Sequence, residues 1–257
     1  MVKNVTQEEI NMSVYTFSFS PTGGTQRVMD ILGEAFGSTK TIDLCADIEA
    51  MEFASDDLVL IGLPSFGGRI PGIAGERLQQ VKGNGAKAVL VAVYGNRAID
   101  DTLIEMKDLA EGCGFQVAGA ISAVAEHSIM RHVAAGRPDA DDAAQLQDFA
   151  KQIIARLDCD EEVQVPGKRP YKNFGGAGMF PEVDGCVSCG FCAEKCPVGA
   201  IPADTPDTTD KEKCICCMRC IEICPIQARK RNPIALNNTI QRLVKFVTGR
   251  KPNELFI

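Results

Sequence analysis

A duplication in the last third of the chain constrains it most. Shifted by 28 residues, Cys186, Cys189, Cys192 and Cys196 fall on Cys214, Cys217, Cys220 and Cys224, while Glu194, Pro197 and Ala200 fall on Glu222, Pro225 and Ala228. A match that reaches past the sulfurs marks an internal repeat, each half reading C-x2-C-x2-C-x3-C-P. Nine of the 12 cysteines lie between Cys186 and Cys224. Disulfide frameworks belong to short secreted domains, whereas thiols clustered in one stretch of a 257-residue chain point to metal. Zinc pairs come as two C-x2-C knuckles separated by a longer loop, which eight regularly spaced cysteines with prolines do not suit. Iron–sulfur clusters fit better. Cys216 lies inside the second run but off its register and reads as a buried free thiol, as do Cys45, Cys113 and Cys159.

Each run resembles that of the bacterial two-cluster ferredoxins. The resemblance implies two [4Fe-4S] clusters in a small α+β ferredoxin-like domain, with three closely spaced thiolates on one cubane and the fourth on the other. By that rule cluster one takes Cys186, Cys189, Cys192 and Cys224, and cluster two takes Cys214, Cys217, Cys220 and Cys196. Two-residue loops curl around one cubane, and the proline turns the chain toward the other.

Residues 13–157 follow a different rhythm, in which short apolar runs alternate with helix-period segments, the pattern of parallel strands joined by crossover helices. The expected strands are Ser13 to Phe19, Lys40 to Leu44, Asp57 to Leu63, Ala86 to Tyr94 and Phe115 to Val124. Five such strands suit a doubly wound α/β sheet. In the helix after the first strand, Val28, Ile31, Leu32 and Ala35 share one face and can cover that sheet.

Between that strand and helix stands Ser20-Pro21-Thr22-Gly23-Gly24-Thr25. Helix-terminal N–H groups, small residues that allow close approach and hydroxyl donors together make a phosphate site. The loop lacks the lysine of a nucleoside-triphosphate loop, and no nicotinamide fingerprint is visible. Ser20, Thr22, Gly23 and Thr25 match the S/T-x-T-G-x-T phosphate loop of flavodoxins, and the resemblance extends over roughly residues 13–157. It implies a flavodoxin-like, doubly wound, five-stranded parallel sheet that binds FMN. Gly24 joins the phosphate contacts, and two further strand-end loops hold the flavin ring: Pro64, Ser65, Phe66 and Gly67 with Gly68, then Tyr94, Gly95 and Asn96 with Arg97. Phe66 is the expected ring contact, with Tyr94 second. The chain has no tryptophan, so indole stacking on the ring is absent. His127 and His132 follow the fifth strand, and His127 is placed to reach the flavin or to gate its protons.

Pro166, Pro170, Gly175, Gly176, Gly178 and Pro181 break both periodicities. The division is therefore 1–158 for the flavodoxin-like domain, 159–182 for a linker, 183–232 for the two-cluster domain and 233–257 for a basic amphipathic helix and tail. In the last part Ile240, Leu243, Val244 and Val247 keep helix spacing. Residues 226–257 carry +6 while the net charge is −7, leaving −13 for the rest. An acidic whole disfavours nucleic acid. No apolar run approaches the roughly 18 residues of a membrane span, and the polar start, Met1 to Met12, lacks a signal pattern, so a cytoplasmic location is expected.

The whole resembles the flavodoxin–ferredoxin fusion proteins of anaerobes, which implies low-potential electron transport between FMN, the clusters and redox partner proteins. The alternative is an oxidoreductase in which flavin reduces an organic substrate and the clusters feed it. A redox sensor is a third reading. Donor, acceptor and oligomeric state are not readable from the residues.

Overall fold

The computed structural model describes residues 12–257 apart from 39, 160 and 175. The polar start and Gly175 therefore lie outside the described residues. In chain order the first part comprises β1 (Val14–Ser18), α1 (Gly24–Phe36), β2 (Lys40–Asp43), β3 (Met51–Glu52), β4 (Leu58–Pro64), α2 (Gly72–Leu78), β5 (Val81–Lys82), β6 (Lys87–Tyr94), α3 (Thr102–Gly112), β7 (Gln116–Val124) and α4 (Ala140–Ile154). The five expected strands are present to within a residue at each end. The two-residue pair β3 and β5, parallel to one another, was not anticipated.

Parallel pairing runs β2-β1-β4-β6-β7, the order of flavodoxin-like sheets, and it reverses between β1 and β4. Alternating side chains leave the strands on opposite faces. Leu58, Leu60, Val89 and Val91 meet Val28, Leu32, Leu146 and Ile153 of α1 and α4. Phe17, Val59, Ile61 and Leu90 meet Leu78, Leu103 and Met106 of α2 and α3. Burial on both faces is why these strands read as continuous apolar runs.

The second part contains β8 (Pro181–Val183), α5 (Phe191–Glu194), α6 (Arg219–Glu222), β9 (Arg229–Arg231), α7 (Pro233–Leu243) and β10 (Glu254–Phe256). β8 and β9 pair antiparallel beneath the cysteine loops. The C-terminal helix ends at Leu243, earlier than the spacing through Val247 suggested, with a single 3-10 turn after it. The tail then re-enters the first part: β10 pairs antiparallel with β7 and becomes the sixth strand of the sheet. Three residues carry no periodicity to read, and what holds them is tertiary. Asn253 accepts from Val124 N–H at 2.8 Å and donates to Asp142, which itself makes a buried two-pronged ion pair with Arg137. Arg137 also donates to the Lys251 carbonyl at 2.8 Å.

The expected linker is packed along the sheet domain. Val163 is buried in the core, Lys168 and Lys172 N–H groups donate to Asp101, and Arg169 pairs with Asp108. Buried Arg77 of α2 donates to Pro197 C=O in the cysteine region at 2.9 Å. Among the described residues no helix is long and apolar enough to cross a membrane.

Candidate functional site

The site lies where the strand order reverses, at the carboxyl ends of β1, β4 and β6. Gly23 caps α1 in the left-handed region, φ 82°. Ser20 Oγ accepts from Gln26 N–H at 2.8 Å and Ser20 C=O from Gly23 N–H at 3.4 Å. Among the described residues the N–H groups of Gly24 and Thr25 have no protein acceptor, and no acidic residue stands in the first helical turn. These donors fit an anion such as a phosphate. Arg27 Nη1 lies 3.7 Å from where a Gly23 Cβ would stand and adds a cation that the loop pattern did not announce, although it sits one helical turn after Gly23.

The loop opens into a cavity of about 80 Å³ lined by Ser20, Thr22, Gly24 and Thr25, with Pro64, Ser65 and Phe66 from the end of β4 and Tyr94 and Gly95 from β6. A second cavity of about 420 Å³ shares Ser65, Phe66, Tyr94, Gly95 and His127 with it and adds Gly67. The expected cofactor residues line one cavity or the other except Gly23, which caps α1 beside the loop cavity, and Asn96. Asn96 donates to the carbonyls of Val247 and Gly249 at 2.7 and 2.8 Å and lines neither cavity. Its amide is committed to the tail, a partner that the sequence pattern did not reveal.

The far walls come from three segments that sequence reasoning assigned elsewhere: Lys172, Asn173 and Phe174 of the linker, Ile215 and Cys216 of the second cysteine run, and Thr239, Arg242 and Leu243 of α7. Phe174 lies so close over Gly67 that a Cβ there would sit 2.1 Å from its ring. His127 packs on Gly95 in the same way, 2.7 Å from a would-be Cβ. His127 Nδ1 accepts from Ile129 and Met130 N–H at 3.1 and 3.2 Å, which leaves the proton on Nε2. Burial, with the nearby His132, Arg231 and Arg97, pushes its pKa down to about 4, so the ring is neutral at ordinary pH.

In the cysteine region the duplication extends to the backbone. Ser188 and Cys216 have φ 54° and 55°, Gly190 and Met218 74° and 66°, Gly199 and Gln227 59° and 55°. Each fourth sulfur accepts an N–H from four residues on, Cys196 from Ala200 at 3.3 Å and Cys224 from Ala228 at 3.2 Å. Cys196, Cys214, Cys217 and Cys220 line one cavity, so the fourth cysteine of the first run joins the first three of the second. Among the described residues no three Cys, His, Asp or Glu side chains are placed to share a single ion. Cys216 lines the same cavity, its thiol hydrogen-bonded with that of Cys214. Burial pushes the Cys217 and Cys220 thiols up to about 12 and 11, so thiolates there need a cationic centre beside them. Cys216 is buried as expected, and so is Cys45, whose thiol burial raises to about 12. Cys113 is half-buried and Cys159 exposed, against the expectation of buried thiols.

Residues 182–201 match the family described as 4Fe-4S binding domain. This stretch is a ferredoxin-type 4Fe-4S region. No curated protein sequence matches the chain. Among solved structures, the flavodoxin of Streptococcus pneumoniae TIGR4 is 17% identical over 56% of this chain and 97% of its own, with a TM-score of 0.39. Flavodoxin 1 of Bacillus cereus is 14% identical over 57% and 98%, with a TM-score of 0.38. Rubredoxin oxygen:oxidoreductase of the anaerobe Desulfovibrio gigas is 17% identical over 56% of this chain, with a TM-score of 0.40, and the chain spans only 37% of its length. The 4Fe-4S region follows the parallel α/β sheet in the chain, and it is the second cysteine run, through Ile215, Cys216 and Cys217, that lines the cavities at the carboxyl end of that sheet.

Proposed function

We propose that the chain is a low-potential electron relay in which FMN occupies the loop cavity and the part of the larger cavity next to Phe66 and Tyr94, and two [4Fe-4S] clusters occupy the cysteine repeats, exchanging electrons with redox partner proteins. One observation carries this reading. Ile215 and Cys216 line both the 420 Å³ cavity and the thiol cavity, and Cys217, itself a thiol of the latter, also lines the loop cavity. A single turn of chain would separate flavin from the nearer cluster. Bound FMN exchanges one or two electrons and each cubane exchanges one. Ser20, Thr22 and the N–H groups of Gly24 and Thr25 hold the phosphate. Phe66 and Tyr94 pack against the ring, and His127 offers it an uncharged Nε2–H. Cys196, Cys214, Cys217 and Cys220 hold the nearer cluster, and Cys186, Cys189, Cys192 and Cys224 the outer one. Residues 1–158 and 183–232 are the two cofactor-binding units, joined by 159–182, with 233–257 closing back over the first. The reducing interior of an anaerobic cell suits such thiols.

Anaerobic stopped-flow reduction tests the relay. Flavin and cluster signals should equilibrate in a first-order step, independent of protein concentration and insensitive to salt, because both cofactors sit in one molecule. Rates proportional to concentration would refute it.

A second reading, reduction of a small organic molecule at the flavin, is favoured by the roof. Lys172 to Phe174 and α7 cover a position where a carrier would expose its ring to a partner protein.

A further inference from the structure

Three basic side chains line the 420 Å³ cavity, Arg97, Lys172 and Arg242, and among the described residues no aspartate or glutamate does. This is unexpected in a chain of net charge −7. The phosphate loop is at the other end of the site and has its own donors, so these cations are not needed there. Arg97 and Lys172 share the carboxylate of Asp100, which stands behind the wall, whereas Arg242 has no ion-pair partner among the described residues. Lys172, Asn173, Phe174 and Arg242 are all exposed and form the mouth, while Tyr94, Cys216 and Thr239 deeper in are buried. The remaining lining is small or apolar: Phe66, Ala98, Ile129, Ala177, Ile215 and Leu243. His127, whose ring also lines the wall, adds no charge at ordinary pH.

We propose that this cavity is a binding site for a small planar organic anion, one carboxylate-bearing ring or its equivalent, which enters between residues 172–174 and α7 with its charge toward Arg242 and Lys172. An apolar floor takes the ring, and the cationic rim takes the charge without burying an unpaired ion. The placement rests on FMN occupying the part of the cavity next to Phe66 and Tyr94.

The test uses the full chain loaded with FMN and clusters, with 4-nitrobenzoate as probe and its uncharged analogue 4-nitrobenzyl alcohol as control. Binding is followed anaerobically by titration calorimetry and by perturbation of the flavin absorption bands. The benzoate should bind and shift the bands, and the alcohol should bind at least about tenfold more weakly, the scale of one charge-assisted contact. Arg242→Ala, on the exposed side of α7, should weaken benzoate binding about tenfold, with Arg242→Lys restoring most of it, while FMN content stays unchanged. Equal binding of the two probes, no binding of the benzoate, or an unaltered Arg242→Ala titration would each overturn the proposal. A shift in flavin potential in Arg242→Ala without any effect on benzoate binding would assign the cations to the reduced flavin and also overturn it. A chain that takes up no FMN refutes the flavin reading and this site with it, whereas FMN uptake without benzoate binding refutes this site alone.

Discussion

The two cysteine runs share a backbone and differ in what surrounds it. In the first run Val187 is 66% exposed, Phe191 41%, and Cys189 is exposed as well. In the second, Cys216 is 6% exposed and Met218 1%, packed with Ile129, Met130 and Met179 against the sheet domain. The left-handed residues recur at matching positions, so the two runs share one loop conformation. The copies differ at the buried face, where Cys216 and Met218 stand at the positions of Ser188 and Gly190 in the first run. The first, outward run is exposed, and the second, inward run packs on the sheet domain beside the 420 Å³ cavity.

The largest effect that can break this comparison is loss of a cluster. Iron and labile sulfide should each measure about eight per chain. Cys196→Ser should remove the inward cluster although Cys196 lies in the outward run, and Cys224→Ser the outward one, each leaving about four irons. Cys216→Ser should retain all eight. If Cys196→Ser destroyed the outward cluster instead, the crossed assignment would be wrong.

Next comes separation of the cofactors. Gly23→Asp places a side chain where φ is 82° and a negative charge where phosphate should sit. FMN binding to the deflavinated protein, titrated by fluorescence, should be abolished while the clusters' absorption persists. Unchanged FMN affinity would move the phosphate site elsewhere.

Met218→Ala should cost about 2–5 kcal/mol in unfolding free energy, the range for a buried methionine, because alanine keeps the Cβ and leaves the left-handed backbone as strained as before. Measured by anaerobic chemical denaturation, a cost below that of a surface change would mean that the inward run is not docked.

The inward run also rests on the loop of His127, and this gives a pH signature. The folded ring has its pKa near 4, below the ordinary 6.5, so between those values the unfolded chain binds the extra proton. Stability should therefore fall as pH drops from about 6.5 to 4, by on the order of 3 kcal/mol. His127→Gln should flatten that part of the profile. His132, Arg231 and Arg97 face the ring and act in the same direction. The smallest effect belongs to the outward run, where Val187→Ala should change stability by less than about 0.5 kcal/mol. A measured loss comparable to that of Met218→Ala would erase the distinction between the runs.

The strands and the repeat were legible because each is local. Period-two and period-3.6 patterns report burial against a neighbour whoever that neighbour is, and metal ligands must keep fixed spacing within one loop. The loop from Ser20 to Thr25 was legible for the same reason, since its donors come from consecutive residues. Asn96 was misread because its position after β6 is that of a ring-binding loop, while its carbonyl partners lie some 150 residues away, at Val247 and Gly249. β10 was missed because three residues carry no periodicity, and the linker looked unstructured because its order comes from Asp101, Asp108 and the face of α3.

By itself the sequence determined a parallel α/β sheet, a phosphate-type loop at its switch point and a duplicated set of eight thiols, all of which depend on residues adjacent in the chain. Tertiary structure alone decided which way each run faces, that Ile215 and Cys216 stand between two cavities, and that residues 172–174 and α7 roof the larger one with cations. Those outcomes depend on how segments distant in sequence pack. No local pattern encodes the burial of Arg137 and Asp142, which anchor the tail through the Lys251 carbonyl, or the reach of Arg77 to Pro197, which ties the cysteine region to the sheet domain.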